Sequence, residues 1–129
     1  MNNVWHTTGR IIYGLPFIIF GIFHFLNGAD MAGYVPGFIP GGAFWVYLTG
    51  AALIAAGISI LIQKMTRLAC ILLGVMLLIF VLTIHLPAVI NAADMQAMQQ
   101  AMPSLLKDLA LAGAAWFMAG NYGSESVTE

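Results

Sequence analysis

A long apolar run lies near the middle of the chain. Residues 68–93 contain no lysine, arginine, aspartate or glutamate, although a bilayer-spanning helix needs only about 20 mostly apolar residues. The whole chain of 129 residues is 61% hydrophobic and 7% charged, whereas soluble domains carry about 25% charged residues. So few charges could not cover the surface of a soluble fold of this size, and we interpret the chain as a membrane protein.

Four apolar stretches are candidate membrane spans. We predict an all-α fold, a polytopic four-transmembrane-helix bundle in which residues 1–129 form a single domain. The fourth span is the weakest, because Lys107 and Asp108 lie in its first turns, and it crosses only if Lys107 extends toward the headgroups. The alternative is three spans and a fourth, interfacial helix. The first stretch lacks a small-residue cleavage site, so we expect a mature helix rather than a signal peptide. The spans are expected at about residues 10–28, 43–63, 67–91 and 103–121.

The basic residues predict the orientation of the bundle. With four spans, the N-terminus, the link between spans two and three and the C-terminus share one side of the membrane. Arg10, Lys64 and Arg67 lie on that side, and lysine and arginine are concentrated in cytoplasmic segments. We therefore expect both termini to be cytoplasmic.

Two longer connections are then expected outside. Residues 27–42 are rich in glycine and proline, which predicts a loop. Residues 94–102 place methionines at helical spacing opposite glutamines, which predicts a short outer interfacial helix that Asp94 can cap.

Polar side chains collect at one depth, near the expected outer ends of the spans. Ionisable residues inside spans are functional candidates by default, and His24 and His85 both lie in such runs. At about 100° per residue, Tyr13 falls on the helical face of His24. We expect one polar pocket in the outer half of the bundle. Its candidate ligand-binding residues are His24, His85, Asn27, Tyr13, Asn91, Asp108 and Lys107.

Each histidine also has a structural interpretation. Gly14, Gly21 and Gly28 repeat every seven residues beside His24, and small residues at such spacing let another helix approach closely. We therefore expect His24 to face the bundle, where it binds a ligand, handles protons, or simply hydrogen-bonds a backbone carbonyl or Asn27.

His85 lies two residues before Pro87. Because proline has no N–H, the carbonyl of Thr83 loses its helical partner, and we expect the helix to kink or end there. A freed carbonyl beside a histidine predicts a polar pocket. The alternative is that His85 only satisfies polar atoms at this break.

Several kinds of chemistry lack the residues that they need. Cys70 is the only cysteine, so the chain has no internal disulfide or dithiol relay, and no Cys/His spacing predicts a metal site. The sequence also lacks a basic patch of the kind that would predict nucleic-acid binding. His24 and His85 could serve as axial ligands of a b-type haem, but one histidine on each of two helices is a weak signal.

Three segments invite a family assignment: GRIIYGLPFIIFGIFHF, GGAFWVYLTGAALIAAGISILI and LTIHLPAVIN. Through them, residues 9–120 resemble the DoxX family of small bacterial four-helix membrane proteins, and the pattern Gly21-x-x-His24-Phe25 is the most specific part. Many members carry an acidic residue after the glycine of span two, whereas Ala51 and Ala52 follow Gly50 here. The resemblance implies the bacterial inner membrane and quinone-linked redox work.

Two classes of function follow. In the first, the chain is an accessory or binding subunit that holds a quinone or a similar lipophilic ligand. His24 and His85 are then the hydrogen-bond partners, and a redox enzyme or respiratory subunit is the protein partner. In the second, the chain is a small oxidoreductase or permease that moves protons with those histidines. We favour the first, because the chain shows no convincing redox centre of its own. Besides the lipid bilayer, a second copy of the chain is considered as a partner.

Overall fold

A computed structural model describes residues 4–35 and 37–122. No strand occurs among them, which confirms the all-α prediction. A 3-10 turn, Ala32–Tyr34, follows α2, and a π-helical turn, Val81–His85, joins α4 to α5. The helices are α1 (Val4–Leu26), α2 (Gly28–Met31), α3 (Ala43–Ile62), α4 (Thr66–Phe80), α5 (Leu86–Ile90) and α6 (Met95–Tyr122).

Three helical segments of the described chain are long and apolar enough to cross a membrane. They are Val4–Leu26, Ala43–Ile62 and Thr66–Ile90. These segments identify the chain as a membrane protein with transmembrane helices. The helix α6, which carries Lys107 and Asp108, is not among them.

The long helices pack in the order α1, α3, α4, α6. The helix α1 lies along α3, α3 contacts α4, and α4 lies along α6. All four contribute to one apolar core, to which α6 supplies only alanines. The buried core residues are Phe17, Leu53, Ala56, Ile60, Cys70, Leu73, Leu77, Ala112, Ala115 and Ala119.

The helices α1 and α3 meet through glycines at two levels. A Cβ atom built on Gly21 would lie 2.6 Å from the carbonyl oxygen of Gly50, and one built on Gly57 would lie 2.8 Å from the carbonyl oxygen of Gly14. Backbone therefore touches backbone, which only small residues permit between membrane helices. A Cβ atom built on Gly50 would lie 2.7 Å from the Cβ atom of His24. This contact confirms that His24 faces the bundle.

The helix α6 is one element where two were predicted. The expected outer interfacial helix and the fourth apolar stretch merge into Met95–Tyr122. The predicted cap is confirmed, because Asp94 Oδ1 accepts a hydrogen bond from the N–H of Ala97 at 2.8 Å. Pro103 removes one helical hydrogen bond, to the carbonyl of Gln99. The helix nevertheless continues to Tyr122, and it packs against α4 and α5.

At two further places the helices differ from the expected bounds of spans and loops. The helix α1 begins at Val4 rather than near Arg10, and its polar first turn is held to the end of α6, where His6 Nε2 lies 3.3 Å from the hydroxyl of Tyr122. The expected loop after α1 contains the short helix Gly28–Met31. The chain there continues to turn helically, because its glycines weaken a helix without forbidding it.

Candidate functional site

His85 and Asp108 form a hydrogen-bonded pair between two helical segments. Their closest atoms, His85 Nε2 and Asp108 Oδ2, are 2.7 Å apart, and the side chains are 20% and 12% exposed. No other acidic and basic side chains of residues 4–35 and 37–122 lie within 4 Å of each other. The sequence predicted only that Asp108 and His85 share one pocket, whereas in the structure the carboxylate contacts the imidazole directly.

A π-helical turn positions His85. The N–H of Leu86 donates to the carbonyl of Val81, five residues earlier, instead of following the α-helical pattern. The predicted interruption before Pro87 is therefore a change of helical register, and the chain continues as α5. Such π-turns inside helices are frequent at functional sites.

Small residues and one tryptophan hold α6 in register against α4. Ala112 and Ala115 are buried in the core between the helices, and the indole N–H of Trp116 donates to the carbonyl of Ile71 at 3.1 Å. Asp108 lies one helical turn before Ala112 and therefore faces the same neighbour. The packing of α6 thus fixes the carboxylate opposite the π-turn.

The pair can present either a hydrogen-bond donor or an acceptor from one ring nitrogen. His85 Nδ1 makes no hydrogen bond to any residue of the described chain. When the pair holds one proton on Nε2, this proton is donated to the carboxylate and Nδ1 accepts. When the pair holds a second proton, Nδ1 carries a hydrogen and donates. Uptake of one proton therefore reverses the polarity of the free nitrogen.

His24 is buried, at 5% exposure. Its Nδ1 lies 2.8 Å from the carbonyl oxygen of Phe20, one turn earlier, and the two rings meet edge to face with centroids 4.9 Å apart. The contact to a backbone carbonyl matches the structural interpretation of this histidine, and it occupies one ring nitrogen. The other nitrogen, Nε2, makes no hydrogen bond to a residue of the described chain.

Two contacts tie α1 to α6. Lys107 Nζ lies 6.0 Å from the centre of the Phe20 ring, within the range of cation–π attraction, and the Tyr13 hydroxyl donates to the carbonyl of Leu111 at 2.6 Å. Phe20 thus contacts both His24 and Lys107. Phe20 was not predicted as a site residue, although the sequence places it one helical turn before His24.

The two asparagines among the predicted site residues are exposed at helix ends. Asn27 Nδ2 donates to the carbonyl of Phe23 at 3.1 Å, and Asn91 follows the last residue of α5. Neither side chain is hydrogen-bonded to His85 or Asp108. The structure therefore joins His85 to Asp108 and places the asparagines outside this pair.

The chain belongs to a family described as a domain of unknown function (DUF8561), whose family model matches residues 14–119. This match overturns the resemblance to the DoxX family. The segments that suggested it consist mainly of glycines and apolar residues, which many membrane helices share, and the acidic residue expected after Gly50 is absent. No curated protein and no solved structure matches the chain. The quinone and redox associations that rested on the resemblance lose that support.

Proposed function

We propose that this chain is a four-span membrane protein that binds a lipophilic molecule at the His85–Asp108 pair. The observation that carries the proposal is the 2.7 Å contact between an imidazole and a carboxylate in a bundle otherwise poor in charge. Ionisable groups within membranes are costly and usually mark functional sites. A binding or accessory role fits this pair, with His24 as a second polar group on the neighbouring helix α1.

The packing of α6 supports a fourth span. The helix lies along α4, which is part of a segment long and apolar enough to cross the membrane. The Trp116–Ile71 hydrogen bond joins α6 to α4, and the His85–Asp108 pair joins α6 to the π-helical turn that follows α4. Because these two connections lie at separate levels, they support the same depth in the membrane for α6 and for the segment beside it. At 1.5 Å per residue, the 28 residues of α6 measure about 42 Å, and the hydrocarbon core is only about 30 Å thick.

The distribution of charge supports an orientation. Four spans bring both termini and the link between α3 and α4 to one side, with Arg10, Lys64 and Arg67. An excess of lysine and arginine marks the cytoplasmic side. We propose the cytoplasmic membrane as the location, with both termini inside and the His85–Asp108 pair in the outer half.

Labelling of single cysteines with a membrane-impermeant maleimide tests this topology. In intact cells Val35→Cys and Gln96→Cys should react, whereas Met65→Cys and Asn121→Cys should react only after permeabilisation. Cys70 is fully buried, so the unsubstituted chain provides the background. Reaction of Asn121→Cys in intact cells, together with protection of Met65→Cys, would show three spans. If Met65→Cys and Asn121→Cys react in intact cells and the other two variants do not, the bundle has the reverse orientation.

The hydrogen-bonding states of the pair suggest the chemical class of the ligand. In one state His85 Nδ1 accepts a hydrogen bond from a hydroxyl group, and in the other it donates to a carbonyl group. A quinone and its quinol carry these two groups on one apolar ring. A charged solute would have to lose its hydration to reach a pair inside the membrane, which costs several kcal/mol or more. A lipophilic molecule of the quinone type is therefore the ligand that we propose.

The test compares the lipophilic molecules that co-purify with three forms of the protein. Asp108→Asn removes the carboxylate at nearly constant size, and Asp30→Asn makes the same change at an exposed position of α2. We expect wild type and Asp30→Asn to retain a quinone-type molecule in their lipid extracts, and Asp108→Asn to retain roughly tenfold less, the scale of one hydrogen bond. Quantification by mass spectrometry decides the question. Equal retention by Asp108→Asn, or no such molecule with wild type, would contradict the proposal.

A further inference from the structure

We infer that a groove between α1 and α6 binds the phosphate headgroup of an anionic phospholipid through Arg10. This site lies toward the ends of the helices at Val4 and Tyr122, away from the His85–Asp108 pair, and the inference does not rest on the proposed function. The volume of the groove is about 440 Å³, within the range of small-molecule sites. Among its lining residues are Arg10, Tyr13, Gly113, Phe117, Met118 and Asn121.

Arg10 has N–H donors that the described chain leaves unused. Its Nη1 donates to the carbonyl oxygens of Ile60 at 2.9 Å and Leu61 at 2.6 Å, which lie in the last turn of α3 and lack helical partners. These two bonds use both hydrogens of Nη1. Nε is buried without a hydrogen-bond partner, and Nη2 makes no hydrogen bond to a described residue. Nη2 is therefore the accessible unused donor, through which the charged guanidinium can bind a phosphate oxygen.

The positive charge of Arg10 also lacks a partner in the described chain. No aspartate or glutamate among residues 4–35 and 37–122 lies within 4 Å of it. Lys64 and Arg67 add positive charge at the same end of the bundle, because Arg10 contacts the last turn of α3 just before them. A partly buried cation is stable only when it is paired or hydrogen-bonded, and the described residues at this end of the bundle supply no anion to Arg10.

The remainder of the groove fits an acyl chain. Tyr13, Phe117 and Met118 supply apolar and aromatic surface, and the side chain of Phe117 is 76% exposed. Gly113 leaves open space, because a Cβ atom built there would meet nothing within 4 Å. Trp5, which is 82% exposed, also lines the groove, and tryptophan is enriched at the headgroup level of membranes. A free phosphate would fill only the polar part, whereas a phospholipid fills both.

Native mass spectrometry and thermal unfolding of the full-length protein in a neutral detergent test this inference. The probes are dioleoyl-phosphatidylglycerol, dioleoyl-phosphatidylcholine and inorganic phosphate. We expect one phosphatidylglycerol per chain and a raised Tm, and no effect of phosphate. Phosphatidylcholine should bind roughly tenfold more weakly, because its choline ammonium cancels the net negative charge of its phosphate and is repelled by Arg10, Lys64 and Arg67. Equal binding of the two lipids would overturn the inference. A Tm shift of the same size with phosphate alone would identify a site for free anions and would also overturn it.

A groove-filling variant keeps the test independent of folding. Gly113→Phe should remove the Tm shift caused by phosphatidylglycerol while the Tm without lipid stays unchanged, because the new side chain meets open space. Ala51→Phe adds the same side chain at an exposed position of α3 outside the groove and should keep the shift. Arg10→Lys retains the charge but cannot both hold the carbonyls of Ile60 and Leu61 and keep a separate donor for the phosphate, so it should bind phosphatidylglycerol roughly tenfold more weakly. A full lipid shift in Gly113→Phe would place the lipid elsewhere and refute the site.

The chain itself offers two other anions, Glu125 and Glu129, outside the described residues. If a phospholipid is the occupant, the double variant Glu125→Gln/Glu129→Gln should bind phosphatidylglycerol as wild type does. If the tail is the occupant, wild type should bind no phosphatidylglycerol and the double variant should unfold at a lower Tm than wild type. That second result would refute the inference.

Discussion

Gly21→Leu should destabilise the protein by about 3 kcal/mol, the upper end of the usual range for overpacked substitutions. A Cβ atom on Gly21 would already lie 2.6 Å from the carbonyl oxygen of Gly50 and 2.6 Å from Cγ1 of Ile54. Because one of these atoms belongs to the backbone, a change of rotamer cannot relieve the clash. The helix α1 would have to move away from α3 and so loosen the second glycine contact as well. The midpoint of unfolding in mixed micelles, titrated with a denaturing detergent, measures the effect.

Gly120→Leu is the matched control for this substitution. A Cβ atom on Gly120 would meet nothing within 4 Å, and glycine is the poorer helix former by about 0.5–1 kcal/mol relative to alanine. The control should therefore be neutral or slightly stabilising. If Gly21→Leu unfolded at the same midpoint as wild type, the face of α1 that carries Gly21 would meet lipid rather than α3.

His85→Leu should have the largest effect on stability, a loss of about 3–5 kcal/mol, as when one partner of a buried ion pair is removed. The substitution leaves the Asp108 carboxylate, 12% exposed, without its hydrogen-bond partner inside the bundle. Asp108→Leu should cost less, about 1–3 kcal/mol, because it takes a hydrogen bond from the imidazole without leaving an unpaired carboxylate inside the bundle. Unfolding in the same mixed micelles compares the two variants.

The double variant His85→Leu/Asp108→Leu distinguishes a true pair from two independent side chains. Replacing both partners of a buried pair with apolar residues is often neutral or even stabilising. We therefore expect the double variant to be more stable than His85→Leu alone. If the two single losses simply added, as they do at distant sites, the side chains would not be coupled and the candidate site would lose its basis.

The apolar spans and the glycine contact could be predicted from local pattern alone. Hydropathy depends on composition within one segment, so the segment that includes residues 68–90 was visible without any knowledge of packing. The face of His24 followed from the helical period and from the position of Gly21 and Gly14 beside it. Both predictions depend on one helix at a time. The structure accordingly has three segments long and apolar enough to cross a membrane, and it buries His24.

The contact between His85 and Asp108 could be predicted only to the level of a shared depth. The two residues lie on different helices, and the π-turn at Val81–His85 rotates the histidine relative to an ordinary α-helix by an amount that the sequence does not specify. The continuity of α6 was missed for a related reason. Pro103 is a local signal for a break, but the helix continues through it and packs against α4 and α5.

The family assignment failed where the sequence signal was least specific. Glycines and apolar residues recur in most tightly packed membrane helices, so the stretch from Gly9 through His24 resembles more than one family. The missing acidic residue after Gly50 was the informative difference. The proposed function therefore rests on the His85–Asp108 contact and no longer on a resemblance.

The ¹⁵N NMR spectrum of histidine-labelled protein in lipid nanodiscs, titrated with decylubiquinol, tests the proposed site most directly. The three histidines of the chain can be assigned with His6→Gln, His24→Gln and His85→Gln. We expect the Nδ1 resonance of His85 to shift and to saturate as quinol is added, and to lose this response in Asp108→Asn. The His6 resonances, at the opposite end of the bundle, should stay constant. A His85 resonance that does not move, or one that moves equally in Asp108→Asn, would contradict ligand binding by the pair.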